Sequence, residues 1–151
     1  MKPNPQLSTF IKPYDPAIQK LALDLRDWLT DLVPEANELI WDNYNAVAMA
    51  YSKSEQLKDA FCHIALYSKH VNFGFNRGAE LINTSVPLVG SGKLIRHLNV
   101  KDFDTFPKDE LEPMIWEAVG ISEKRNSKLL EPNTNPQSIV MSISEKKVRP
   151  S

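Results

Sequence analysis

Three histidines and one cysteine are the residues of this sequence best suited to bind a metal. Cys62 and His63 are neighbours in a segment that alternates apolar and polar residues. This pattern predicts a strand, and successive side chains of a strand leave opposite faces of the sheet. His70 and His97 lie further along, and no pair has the HxH, HxxxH or CxxC spacing typical of metal sites. The sequence therefore predicts three unrelated histidines, no metal site and no cofactor.

A basic turn is the second group of residues with chemical potential. Residues 90–93 (GSGK) place a lysine beside two glycines, and Arg77 and Arg96 flank the same loop region. A nest of backbone amides next to these cations could bind a carboxylate or a phosphate. Leu94, however, follows Lys93 where a Walker-type phosphate loop has serine or threonine. A glycine turn leading into a strand is the preferred interpretation, and an anion site is the alternative.

Nucleophilic catalysis finds little support in the sequence. A reactive Cys62 would need a base on its own strand face, but that face carries Ile64 and Leu66. This predicts a buried, structural cysteine. No serine lies in a nucleophile-elbow sequence, and no acidic pair is placed for acid–base work. Enzymatic activity is therefore uncertain, and a non-enzymatic function is favoured.

Two amphipathic helices and a series of short strands would have to position these residues. Asp15-Pro16 starts a helix that Pro34 ends, since aspartate caps and proline suits a first turn. A second helix follows Pro107 and ends at Gly120, where glycine is a common C-terminal cap. Five segments have strand character: residues 38–41, 46–51, 59–67, 71–75 and 94–98.

Two apolar helix stripes need one apolar sheet face, so the predicted fold is α+β, with a single antiparallel sheet and both helices on one face. The predicted domain spans residues 16–121. Residues 1–15 are predicted to form an extended arm, and residues 122–151 a polar extension with an edge strand at 138–144. The predicted core contains Leu21, Leu25, Trp28, Leu29, Ile64, Leu66, Leu111 and Ile115.

Composition narrows the class of protein. The 151 residues suffice for one domain, and 42% hydrophobic with 25% charged residues is ordinary for a soluble protein. The 18 basic and 19 acidic residues give a net charge of −1, which argues against a general nucleic-acid binder. A single cysteine excludes an internal disulfide, and no signal peptide or bilayer-spanning run is recognisable. The expectation is a cytoplasmic protein that binds neither nucleic acid nor membranes and can form a homo-oligomer.

Five short motifs, taken in order, resemble the YdhG-like family of domains of unknown function. They are residues 32–35 (LVPE), 39–41 (LIW), 70–75 (HVNFGF), 77–81 (RGAEL) and 88–93 (LVGSGK). The resemblance covers roughly residues 16–119. It implies a frataxin-like helix–sheet–helix sandwich, and, from one branch of the family, an intracellular iron chaperone. Iron binding of the frataxin type relies on a strongly acidic helix. The corresponding acidic row of this chain is sparse and is interrupted by Arg26; it consists of Asp24, Asp27, Asp31 and Glu35.

Three functions are consistent with these features, in decreasing order of preference. The first is a non-enzymatic domain that binds a small ligand or a protein partner on the open polar face of the sheet. The second is the frataxin-like iron chaperone, and the third is an enzyme acting on an anionic small molecule. The candidate ligand-binding residues are Tyr44, Asn45, His63, Tyr67, Asn72, Arg77, Lys93, Arg96 and His97.

Overall fold

The computed structural model describes residues 1–148. Three helices pack against one face of a six-stranded sheet whose strand order is β5-β4-β3-β2-β1-β6. The fold is therefore α+β, and the frataxin-like sandwich stays a prediction. The elements are α1 (Pro5–Ile11), α2 (Pro16–Leu32), β1 (Asn37–Asp42), β2 (Val47–Ser52), β3 (Ala60–Leu66), β4 (Val71–Phe75), β5 (Arg96–Val100), α3 (Lys108–Arg125) and β6 (Ser138–Ile143).

The sheet is mixed rather than purely antiparallel, which corrects part of the predicted fold class. Strands β1 to β5 pair antiparallel in chain order, whereas β6 pairs parallel to β1 at the opposite edge. Parallel neighbours need a crossover connection instead of a hairpin. Helix α3 lies on that connection, since it separates β5 from β6 in the chain.

The two long helices form where the apolar stripes predicted them, with one difference in length. Pro16 occupies the first turn of α2, as predicted. Helix α3 continues past Gly120 to Arg125, and Ser122 in these added turns is buried, with its hydroxyl donating to the Val119 carbonyl at 2.6 Å. The predicted end at Gly120 was wrong. Among residues 1–148, no helix is both long and apolar enough to span a bilayer.

The predicted core is confirmed. All eight predicted residues belong to one cluster between helices and sheet, with seven of them buried and Trp28 packed against them. Trp28 makes edge-on ring contacts with Phe106 at 5.3 Å and with Phe73 at 5.9 Å between ring centroids. Edge-to-face aromatic pairs of this kind add to the free energy gained from burial. The cluster joins α2 and α3 to the middle of the sheet.

Described segments on both sides of the predicted domain limits of 16–121 belong to the fold, which corrects those limits. Residues 1–15 contain α1 instead of an extended arm, and Leu7 and Phe10 of this helix are buried in the core. The Asn4 backbone amide donates to Ser138 Oγ at 2.8 Å and so ties α1 to β6. Strand β6 occupies the predicted 138–144 segment and completes the sheet. Residues 149–151 of the predicted polar extension (122–151) lie outside the described part of the chain.

A buried ion pair connects α2 to the sheet. Arg26 Nε donates to Glu38 Oε2 at 2.9 Å, and the two side chains are almost completely removed from solvent. Tyr51 and Ser138 donate their hydroxyls to the two oxygens of Glu38, each at 2.7 Å. Burial, followed by the neighbouring Glu38 charge, raises the pKa of Tyr51, which keeps its hydroxyl protonated as a donor. One carboxylate thus joins α2, β1, β2 and β6.

Candidate functional site

The sheet face opposite the helices, here called the open face, carries two rows of side chains that cross all six strands. Strand residues alternate in direction, so these rows point away from Ile40, Met49, Ile64 and Phe73 of the helix-packed core. The first row is His97, Gly74, His63, Ala50, Leu39 and Ile139. The second row is Asn99, Asn72, Ala65, Ala48, Trp41 and Ser142.

Polar and apolar residues occupy different halves of the open face. Histidines and asparagines lie on β3, β4 and β5, whereas Trp41, Leu39 and Ile139 form a small apolar cluster on β1 and β6. Ala48 and Ala65 lie between the two halves. An alanine rises only one carbon above the sheet, so the centre is lower than its two sides. The low strip of Ala48 and Ala65, between a polar side and an apolar side of the open face, is here called the trough.

Glycine at position 74 makes room for the imidazole of His63. A Cβ at Gly74 would lie 2.3 Å from His63 Nε2, so any side chain there would displace the ring. His63 Nδ1 lies 2.9 Å from Asn76 Oδ1. Burial lowers the pKa of His63, the Asn76 hydrogen bond opposes this, and nearby His97 adds to the lowering. His63 is therefore neutral at pH 7 and donates from Nδ1, since the amide oxygen only accepts.

Asn72 carries an unpartnered buried acceptor. Its Oδ1 is shielded from solvent and has no hydrogen-bond partner among residues 1–148. Nearly all buried polar atoms in folded proteins are hydrogen-bonded, and an unsatisfied one costs about 1–3 kcal/mol. Asn72 pairs in register with Ala65 on one side and with Asn99 on the other. An acceptor that needs a donor thus lies directly beside the trough.

Three other candidate residues lie at one end of the sheet. The rings of Tyr67 and His70 stack at the β3–β4 turn, with centroids 4.7 Å apart. Tyr44, 55% exposed, and Asn45 lie in the β1–β2 turn. The two turns share one end of the sheet, because β1 and β3 run in the same direction. These residues lie past the second row along the strand direction, at the ends of β1 and β3.

The three candidate cations lie near the opposite end of the sheet, where Arg77 and Lys93 line one groove and Arg96 does not. Arg77 makes two hydrogen bonds to Glu80, at 2.7 and 2.6 Å. Arg96 lies opposite Phe75 on the helix-packed side, and its Nη1 donates to the carbonyl oxygens of residues 92 and 95. Lys93 is exposed. Arg96 therefore braces the glycine loop instead of joining Lys93 in an anion site.

Cys62 and the acidic side chains provide no metal centre in the described part of the chain. Cys62 is fully buried on the face opposite His63, which confirms the predicted burial, and burial raises the pKa of its thiol. Asp24 pairs with Lys20 at 2.6 Å, and Asp27 pairs with Arg26 at 3.1 Å. Within residues 1–148, no three His, Cys, Asp or Glu side chains are placed to share a metal ion.

Sequence reasoning missed Ala48, Ala65 and Trp41 as parts of the candidate site. A signal was present, because residues 47–51 (VAMAY) alternate small and large side chains. Such alternation in a strand predicts one packed face and one low face. Asn76 was missed as well, although it has the same strand phase as Asn72.

Comparison with protein-family models, with curated proteins and with solved structures gave no significant match to this chain. The open face is therefore interpreted from its own geometry. The resemblance to the YdhG-like family remains a prediction.

Proposed function

We propose that this chain is a non-enzymatic binding domain that takes a small ligand or a group of a protein partner on the open face. The bound group would lie over Ala48 and Ala65, between Asn72 and Trp41. The observation that carries the proposal is the buried Asn72 Oδ1 without a hydrogen-bond partner. A protein retains such a costly group where a ligand completes its hydrogen bonding, since functional sites are where local rules of stability are broken.

The walls of the trough indicate the chemistry of the bound group. Asn72 is half-buried, and a turn of its side chain would bring Oδ1 to the trough, where an N–H or O–H group of the ligand would donate to it. A flat apolar part of the ligand would cover the alanines and contact Trp41. His63 is neutral and its Nδ1 is engaged by Asn76, so a strongly charged ligand is not required. A planar amide or a heteroaromatic ring with an N–H group fits this description. Sites of this type combine apolar surface with a few placed polar groups.

Binding is favoured over the two alternative functions for a physical reason. Catalysis needs a nucleophile or an acid–base pair within reach of the ligand. The cysteine is on the opposite face, and the His63 Nδ1 proton is held by an amide. Labile iron binding needs several oxygen ligands close together. In α2, Asp24 and Asp27 are already paired with cations.

The test replaces Asn72 by leucine, which has similar size and no polar atom. If the acceptor is unsatisfied in the free protein, Asn72→Leu raises the free energy of unfolding by about 1–3 kcal/mol. The matched control is Asn99→Leu in the same row. Asn99 is exposed, so this substitution changes stability by less than about 0.5 kcal/mol. Urea unfolding measures both.

Binding is measured by NMR titration with nicotinamide, adenine and indole as probes. The expected result is shifts centred on Trp41, Ala65 and Asn72 that disappear in Asn72→Leu and persist in Asn99→Leu. A destabilised Asn72→Leu protein would contradict the unsatisfied acceptor. Probes that shift only residues outside the two rows would contradict the proposed site.

A further inference from the structure

A separate groove lies beyond the end of the sheet where β4 finishes, and is here called the end groove. One wall is the short helical turn Leu57–Asp59 with Ala60, and the other is the loop of residues 92–95; Asn76 and Arg77 also line it. Its volume is about 410 Å³. This lies within the range of roughly 300–1,000 Å³ typical of small-molecule sites.

The end groove exposes apolar surface on both walls. Leu57 and Ile95 are each 51% exposed, and both line it together with Leu94 and Ala60. Single exposed apolar residues are ordinary, but apolar residues gathered in a concave site mark a binding surface. Covering Leu57 and Ile95 would remove apolar area from water, which is favourable.

Two lysines without carboxylate partners accompany this apolar surface. Lys58 and Lys93 belong to opposite walls, and neither makes an ion pair within residues 1–148. Arg77 is different, because Glu80 neutralises it. Asn76 adds a polar group, since its Oδ1 accepts from His63 and its Nδ2 remains a donor. The end groove therefore combines two ammonium groups and an amide donor with an apolar lining.

The loop wall is held in place before any ligand arrives. Arg96 Nη1 donates to the Gly92 and Ile95 carbonyls at 2.8 and 2.7 Å, and the Leu94 carbonyl accepts from the Ala79 amide at 2.9 Å. Gly90 has a φ of 147°, and a Cβ there would lie 2.7 Å from the Ile95 oxygen. A pre-formed wall reduces the entropy lost on binding.

We propose that the end groove binds a small amphiphilic anion, meaning a carboxylate or phosphate group attached to a hydrocarbon or aromatic body. Lys58 and Lys93 bind the anionic head through charge-assisted hydrogen bonds. The apolar body covers Leu57 and Ile95. This site goes beyond the open face, because its lining residues belong to neither row and it selects charge, which the trough does not.

Isothermal titration calorimetry with five probes distinguishes the binding contribution of the anionic head from that of the apolar body. Octanoate and octyl phosphate carry both parts, acetate and inorganic phosphate carry the head alone, and octanol carries the body alone. The expected result is binding of the two amphiphilic anions at least about tenfold tighter than the other three. The ranking of octanoate against octyl phosphate then identifies the preferred head. Equal binding of octanol and octanoate, or of phosphate and octyl phosphate, would overturn the proposal.

Substitutions locate the site. Lys58→Gln and Lys93→Gln each weaken octanoate binding by about tenfold, since one charge-assisted bond is lost. The matched control is Lys69→Gln, an exposed lysine at the β3–β4 turn, which retains wild-type affinity. Ile95→Ser weakens octanoate binding and leaves acetate unchanged. Equal losses of octanoate affinity in Lys69→Gln and Lys93→Gln would show non-specific charge attraction and refute the site. These outcomes are independent of Asn72→Leu, so the two proposals fail separately.

Discussion

The substitution Glu38→Gln tests how the fold tolerates a buried charge. Glu38 is fully buried and accepts hydrogen bonds from Arg26, Tyr51 and Ser138. Glutamine keeps the size of the side chain and removes its charge. Arg26 is only 2% exposed, so its charge then lacks a buried counterion. Breaking a buried pair from one side costs about 3–5 kcal/mol, and we expect a loss of this size.

The contacts that remain explain why the cost falls in this range. Arg26 keeps the Met1 carbonyl at 2.8 Å and Asp27 at 3.1 Å, but Asp27 is 67% exposed and well hydrated. Glutamine Oε1 still accepts one hydroxyl, so part of the network survives. Exchanging Arg26 for methionine as well removes the stranded charge. The double variant Arg26→Met with Glu38→Gln should therefore lose about 1–3 kcal/mol less than the two single losses added together.

Urea unfolding at pH 7, followed by circular dichroism, measures all three variants. Asp27→Asn is the matched control, because it changes an exposed carboxylate that contacts the same arginine, and surface pairs contribute less than about 1 kcal/mol. Equal losses for Asp27→Asn and Glu38→Gln would refute the reasoning. Strict additivity of Arg26→Met and Glu38→Gln would also refute it, since it would mean that the two charges do not depend on each other.

Two further predictions concern pH and the core. Burial lowers the pKa of His63, so at about pH 6.5 the unfolded chain takes up a proton on this imidazole while the folded chain does not. The stability that neutral His63 contributes is fully present above that pH. It falls as the pH drops through that value towards the pKa of the folded state. Thermal melts from pH 8 to pH 5 should show a smaller decline for His63→Gln, and an identical decline would contradict this. Leu25→Ala, at a fully buried site, should cost about 2–5 kcal/mol in urea unfolding, whereas Leu130→Ala, at a 65% exposed site, should change stability by less than about 0.5 kcal/mol.

The sequence predicted the elements whose signal is local. Helix α2 has a continuous apolar stripe between two prolines, and strands β3 and β4 alternate cleanly around a short turn. Helix α1 has only seven residues, too few for an isolated helix to be stable. It depends on packing and on the Asn4–Ser138 contacts between chain ends. Such long-range partners leave no periodic trace in the sequence.

Strand periodicity also predicted part of the open face. It placed His63 and Asn72 on the face opposite Cys62, because side chains alternate along β3 and β4. It could not give the register across strands that puts His97 beside Gly74. Arg96 has the same strand phase as Leu98, and it lies opposite Phe75 on the helix-packed side. Strand periodicity thus predicts which sheet face a residue occupies, whereas its neighbours on that face depend on how the strands pair.

Whole-chain charge was the weakest guide to the candidate sites. The net charge of −1 argues against a broad basic surface, but it averages over residues that lie far apart in the fold. Asp59, the acid closest in sequence to Lys58, is 7% exposed and accepts from Ser54 Oγ at 2.7 Å, so it is already engaged. Lys93 approaches from a loop that belongs to a different part of the chain. The positive character of the end groove therefore depends on which carboxylates are already engaged by other groups of the protein. A count of charges does not contain that information.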